Sequence, residues 1–260
     1  MTKFIAIASG KGGVGKTTTA INLACALTGF GKDSLVVDTN VGSAHVALYL
    51  GSPLLKPTLN DALRGTHHIT EVAFLHPSGV KIIPADTSLY ASENTPLHNL
   101  KDVLTGLIGT TEVVLVDVGS GFRNDALHTI KAVDELIVVA TPDIGAVSDC
   151  IKIIQVAEDN GITVLGAVIN KTTGKHELTE KNIATLLEKP ILGVIPEDFH
   201  AKKALLSKHP VLYAYPQSPS SIAFKQLAAV MLGQRYTPYV PEGPTGIERL
   251  KASLKDSFGL

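Results

Sequence analysis

The run Gly10-Lys11-Gly12-Gly13-Val14-Gly15-Lys16-Thr17 follows a short apolar stretch at 4–8 and precedes a helical pattern at 17–28. No other feature constrains the fold as tightly. A G-x-x-x-x-G-K-[ST] spacing between a strand and a helix is a phosphate cradle. Its glycines let the backbone close around phosphate oxygens with successive N–H groups turned inward. The helix that follows presents its positive N-terminal end to the same anion. In such a cradle Lys16 reaches the β- and γ-phosphates, the Thr17 hydroxyl ligates Mg²⁺, and Gly10 to Gly15 with Thr18 line the nucleotide.

The rest of the chain alternates in the same way. Apolar runs of strand length lie at 34–37, 80–83, 112–116, 136–140, 163–169 and 191–195, several of them near-continuous, as in strands buried on both faces. Helical spacing occupies 98–108, 148–158, 177–188 and 220–232, with Gly29, Gly31, Gly161 and Gly233 placed where helices stop. This predicts βαβ units in a doubly wound, mainly parallel sheet flanked by helices. Hydrophobic residues make up 45% of the 260 and aromatics only 5%, so the core must rest on Val, Ile, Leu and Ala. One ATPase domain is expected over 1–235, an extended linker with three prolines and two glycines over 236–246, and a last helical segment over 247–260.

A net charge of −1 argues against a strongly basic nucleic-acid surface, and Lys202-Lys203 is the closest basic pair. Cys25 and Cys150 stand apart with neither metal nor redox spacing, so both are expected as small buried hydrophobes. The pair His67-His68 reads as surface and Thr110-Thr111 as a turn. Without a secretory leader or an apolar run of about 18 residues, the chain is expected in the cytoplasm.

Lys11 is a second lysine inside the loop, which a phosphate cradle does not require. Ser9-Gly-Lys-Gly-Gly-Val-Gly-Lys-Thr-Thr18 as a whole resembles the deviant Walker A loop of the MinD/ParA/NifH group. The resemblance implies that Lys11 crosses to a partner's phosphates in a homodimer sandwiching two ATP molecules. It continues at Val36-Val-Asp-Thr-Asn40, the switch I position, and at Val114-Leu-Val-Asp-Val-Gly-Ser-Gly121, the Walker B and switch II position, where Asp117 would hold Mg²⁺ and Asp38 would share in metal binding and catalysis. Val168-Ile-Asn170 and Ile195-Pro196-Glu197-Asp198 resemble the family's base-reading loops, and Tyr215 to Ala223 resembles the opening of its last core helix. NifH-like and Mrp-like relatives are set aside because their cysteine motifs are missing. MinD and FlhG remain, with MinD-like proteins the nearer and Gly119 similar to FlhG.

One departure matters. The family's switch I is usually D-x-D, and here the second position is Asn40, which carries no charge and cannot act as a base. Slow hydrolysis and a long-lived ATP state are the expectation. In the tail, Ile247, Leu250, Leu254 and Phe258 fall in one helical stripe flanked by Lys251 and Lys255. That stripe resembles the C-terminal membrane-targeting helix of MinD. A single copy should bind a bilayer marginally, and a dimer, carrying two, far more tightly. The implied protein is a positioning ATPase, peripheral on the membrane in its ATP state, with an unidentified regulator or cargo. A ParA-like partition ATPase acting on DNA, and a nucleotide-gated scaffold with negligible hydrolysis, remain as alternatives.

Overall fold

Strand β1 (Lys3–Ala8) is buried from its second residue onward and runs straight into the glycine loop. A computed structural model describes residues 2–41, 43–52, 54–88 and 95–238. After the loop come α1 (Lys16–Gly29), β2 (Ser34–Asp38), the short helices α2 (Val46–Tyr49) and α3 (Leu59–Leu63), and the hairpin strands β3 (Phe74–Leu75) and β4 (Lys81–Ile83). Then follow α4 (Leu100–Thr105), β5 (Val113–Asp117), α5 (Asn124–Ile130), β6 (Glu135–Ala140) and α6 (Ile144–Asp159). The last described elements are β7 (Thr163–Thr172), α7 (Glu180–Leu187), β8 (Ile191–Pro196), α8 (Phe199–Leu206), α9 (Val211–Ala214) and α10 (Pro219–Met231).

The eight strands form one sheet in the order β3-β4-β2-β5-β1-β6-β7-β8, parallel except for β3 against β4. Every residue of β2 and β5 is buried, which explains their unbroken Val/Leu runs: helices cover both faces. Helix α1 packs on β1, β2 and β5 and meets α9 and α10, while α6 packs on β6 and β7 beside α7. Because β1 lies between β5 and β6 although β2 follows it in sequence, the loops after β1, β2 and β5 open on one edge of the sheet. Open α/β sheets bind ligands at such a crevice beyond the carboxyl ends of their strands.

The expected strands are all present, within a few residues of their predicted ends. β3 was not anticipated, since two residues give no periodicity; the turn His76–Gly79 sets it antiparallel to β4. Helix α6 begins four residues before the predicted 148 because the Asp143 carboxylate caps it, accepting from the Ala146 amide at 3.0 Å. The predicted 98–108 helix is shorter: a 3₁₀ turn at Leu97–Asn99 leads into α4, which Gly106 ends. β7 runs past the predicted 169 to Thr172, with irregular pairing beside Lys171. Short helices α2, α3, α5, α8 and α9 lie in stretches left unassigned by periodicity, each too brief to repeat its pattern.

Cys25 and Cys150 are buried as expected, and burial pushes their thiols up to about 11 and about 12. His67 and His68 are exposed. The predicted linker begins with Tyr236, whose ring packs edge-on against Phe30 just beyond α1, centroids 5.9 Å apart. The rest of the linker from 239, and the predicted tail helix with Ile247, Leu250, Lys251, Leu254, Lys255 and Phe258, lie outside the described residues. Among the described residues no helix is long and apolar enough to cross a membrane.

Candidate functional site

The glycine loop becomes a cradle through Gly15. Its φ of 99° is open to glycine at little cost, and a Cβ there would strike the Asn170 side chain. Helix α1 starts at Lys16 with no side chain capping its first amides. Those amides remain for an anion, which is how a phosphate site at a helix N-terminus works. Two side chains from β7 brace the loop from outside: Asn170 Nδ2 donates to the Val14 carbonyl at 2.8 Å, and Lys171 Nζ donates to the Gly13 carbonyl at 2.6 Å. Lys171 has a φ of 60° and escaped the sequence reading; a lysine after a strand-ending Asn was its only signal.

Lys16 is buried, and burial pushes its pKa down while the Asp117 charge works against that shift. Its ammonium donates to Ser120 Oγ at 2.8 Å. Thr17 Oγ1 donates to Asp117 Oδ2 at 2.6 Å, leaving Asp117 Oδ1 buried without a hydrogen-bond partner. A bare carboxylate oxygen beside a threonine hydroxyl and a phosphate cradle is the donor set that hard Mg²⁺ takes, so these residues fit the ion.

Asp117 and Asp38 face each other in register at the ends of β5 and β2. Burial, and then the charge of Asp38, push the Asp117 carboxyl up to about 8. Burial also raises Asp38, although four donors oppose it. Those donors use both of its oxygens: Oδ1 takes the Asn40 amide at 3.0 Å and side chain at 3.3 Å, and Oδ2 takes the His45 and Val46 amides, each at 2.9 Å. In this conformation Asp38 therefore shapes the loop after β2, and Asp117 alone offers an open oxygen. Asn40 lines the cleft with its amide oxygen toward Gly119, where a Cβ would come within 3.3 Å.

Gly13, Gly15, Lys16, Thr17, Thr18, Asn40, Ser120 and Asn170 converge on one cleft of about 800 Å³ that reaches Pro196, Glu197 and Asp198 at its far side. Asp198 is occupied in another way. Its Oδ1 caps α8 through the His200 amide at 2.8 Å, and its Oδ2 accepts from the Ser220 amide at 3.1 Å and hydroxyl at 2.6 Å. Burial alone would raise this carboxyl, but the bonds from Ser220 and His200 outweigh it and hold it well below the usual carboxylate range. Glu197 pairs with Lys202 at 2.6 Å. Lys11 turns away from the cleft and stands 3.4 Å from Asp143 Oδ1, both side chains about half exposed.

This cleft can bind a nucleoside polyphosphate with Mg²⁺, and known proteins are built alike. Residues 5–211 match the model of the CobQ/CobB/MinD/ParA nucleotide binding domain. An uncharacterized ATP-binding protein of Methanocaldococcus jannaschii is 39% identical over 233 residues, covering 89% of this chain and 88% of that one. The cell division ATPase MinD of Pyrococcus furiosus superposes with a TM-score of 0.86 at 28% identity, over 90% of this chain and 99% of the other. The septum site-determining protein MinD of Pyrococcus horikoshii, complexed with Mg-ADP, does so with 0.85 at 28% identity, over 95% and 99%. The chain belongs to the MinD/ParA family of nucleotide-binding P-loop proteins, with MinD ATPases among its structural neighbours.

Proposed function

We propose that the protein is an ATP-driven dimer switch of MinD type that positions a cellular structure, a division site or a polar or flagellar assembly, by cycling on the membrane. The observation that carries this reading is the division of labour between the loop lysines. Lys16 is buried in the cleft, whereas Lys11 is displayed at the rim, directed away from its own phosphate site. A lysine so placed is available to a nucleotide held by a second copy.

Within one chain, the α1 N-terminus and Lys16 bind the phosphates, and Asn170 and Lys171 hold the loop to its shape. Thr17 and Asp117 would hold Mg²⁺, with Asp38 entering that set on rearrangement of its loop. The ion, when bound, neutralises charge on the terminal phosphates. Asn40 offers an amide oxygen to orient the attacking water but takes no proton, so phosphoryl transfer rests on positioning and electrostatics and turnover is slow. The regions around Asp38, Asn40 and the loop after Asp117 respond to the third phosphate. When two copies close on ATP, two tails act together, and avidity sets membrane residence.

The test is co-sedimentation with anionic vesicles under ATP, ADP and no nucleotide, for the intact chain and a truncation ending at Val240. ATP-dependent binding lost on truncation is the expected result. Equal binding by the truncated chain overturns the membrane switch, and salt-sensitive DNA binding in the ATP state would point to a partition ATPase instead.

A further inference from the structure

We propose that Ser120 is a ligand of the third phosphate, gripping the same phosphoryl group as Lys16 and so telling ATP from ADP. This deepens the ATP-switch reading above and rests on it.

Three observations place the hydroxyl there. An ammonium group only donates, so in the 2.8 Å contact Ser120 Oγ is the acceptor. Its own proton finds no acceptor among the described residues and stays free to donate into the cleft that Ser120 lines. The hydroxyl also stands over the glycine loop: a Cβ on Gly12 would lie 3.8 Å from Ser120 Oγ. An oxygen bonded to the lysine that reaches the β- and γ-phosphates, on the side facing the loop, is within reach of an oxygen of the outermost phosphate.

The position is fixed rather than incidental. The Val118 amide donates to the Ile7 carbonyl and the Gly121 amide to the Ser9 carbonyl, both at 3.2 Å, tying the segment to β1 and to the start of the cradle on either side of Ser120. Gly121, at φ 82°, makes the turn between these ties without steric cost. With the third phosphate absent, Ser120 gives the buried Lys16 cation a partner. With it present, the phosphate takes over that role and Ser120 donates to it, adding one hydrogen bond to a charged group that ADP cannot make.

The experiment measures calorimetric Kd values of the full chain for a non-hydrolysable ATP analogue and for ADP, both with Mg²⁺, at protein concentrations where it stays monomeric. Ser120→Ala should weaken the analogue about tenfold, as expected for losing a charge-assisted hydrogen bond, while ADP changes less than about twofold. Ser120→Thr, which keeps the hydroxyl, should restore the preference. An equal loss for both nucleotides would assign Ser120 to holding Lys16 alone and overturn the proposal, as would no change for either. If the unaltered chain binds neither nucleotide, the ATP reading itself falls and takes this inference with it.

Discussion

Asn40 Nδ2 lies 3.3 Å from Asp117 Oδ2 and the same distance from Asp38 Oδ1, so one neutral amide donates to two buried carboxylates. The two acceptors fix the amide's orientation, because only its nitrogen can face both. An amide rather than a third carboxylate at this position is a donor that eases repulsion between the other two.

Asn40→Asp therefore has a double outcome. Without Mg²⁺ a third acid joins two buried ones, and the melting temperature should fall by several degrees, as for a loss of about 1–3 kcal/mol. Excess Mg²⁺ should recover most of that loss, while single-turnover hydrolysis speeds up. Thermal melts with and without the ion, beside quenched-flow product measurement, check both. An unchanged hydrolysis rate would remove the claim that Asn40 slows turnover.

Lys11→Ala should leave ADP affinity within about twofold, since Lys11 points out of its own cleft to Asp143. ATP-dependent dimerisation should be lost. Sedimentation velocity with a non-hydrolysable analogue reads this directly, and a dimer that persists would show that the rim lysine is not the cross-subunit contact.

Asn170→Ala should lower stability by about 1–3 kcal/mol by stranding the Val14 carbonyl and opening a space beside Gly15. Urea denaturation measures the loss. Nucleotide affinity should fall as well, because the cradle's shape depends on this brace.

Asp198→Ala removes the α8 cap and the tie to Ser220, a loss of about 1–2 kcal/mol at neutral pH on the cap alone. Its folded-state pKa is depressed, so its contribution is fully present above the ordinary value of 3.8 and is lost as pH falls below it. The stability gap between parent and variant should hold constant from pH 6 to pH 5 and begin to narrow as unfolding is followed below pH 4.

His76 is buried on the β3–β4 turn, its ring 5.6 Å from that of His209. Burial, and then His209, hold its pKa below the ordinary 6.5, against a hydrogen bond to the Lys208 backbone. A depressed histidine leaves the unfolded chain binding more protons, so stability should decline as pH drops below about 6.5. His209→Gln should make that decline shallower in melts between pH 7.5 and pH 5.5.

The alternation of strands and helices, the cradle and the two carboxyl-bearing strand ends could be read from sequence because each rests on local pattern: apolar runs, glycine spacing, and an Asp closing a valine-rich stretch; the order β3-β4-β2-β5-β1-β6-β7-β8 in the sheet could not. The Lys16–Ser120 and Lys171–Gly13 contacts could not, since they join residues 104 and 158 positions apart. Ser120 lay inside a recognised motif, but nothing local marks a serine as the partner of a distant lysine. For Asp198 the motif fixed its place and gave no hint that α10 would claim its carboxylate through Ser220. That claim depends on how two helices dock, which periodicity does not encode.

The edge-on packing of Tyr236 against Phe30 gives the molecule a built-in separation. Helix α1 carries the phosphate loop at one end and this aromatic clasp just past the other, and its 14 residues span about 21 Å. The described chain thus passes the clasp at a point a rigid rod's length from the phosphate loop. If the residues after 238 anchor the protein as proposed, engine and mooring are separable parts, and exchanging that segment for another anchoring sequence should leave nucleotide affinity unaltered, merely at a new address.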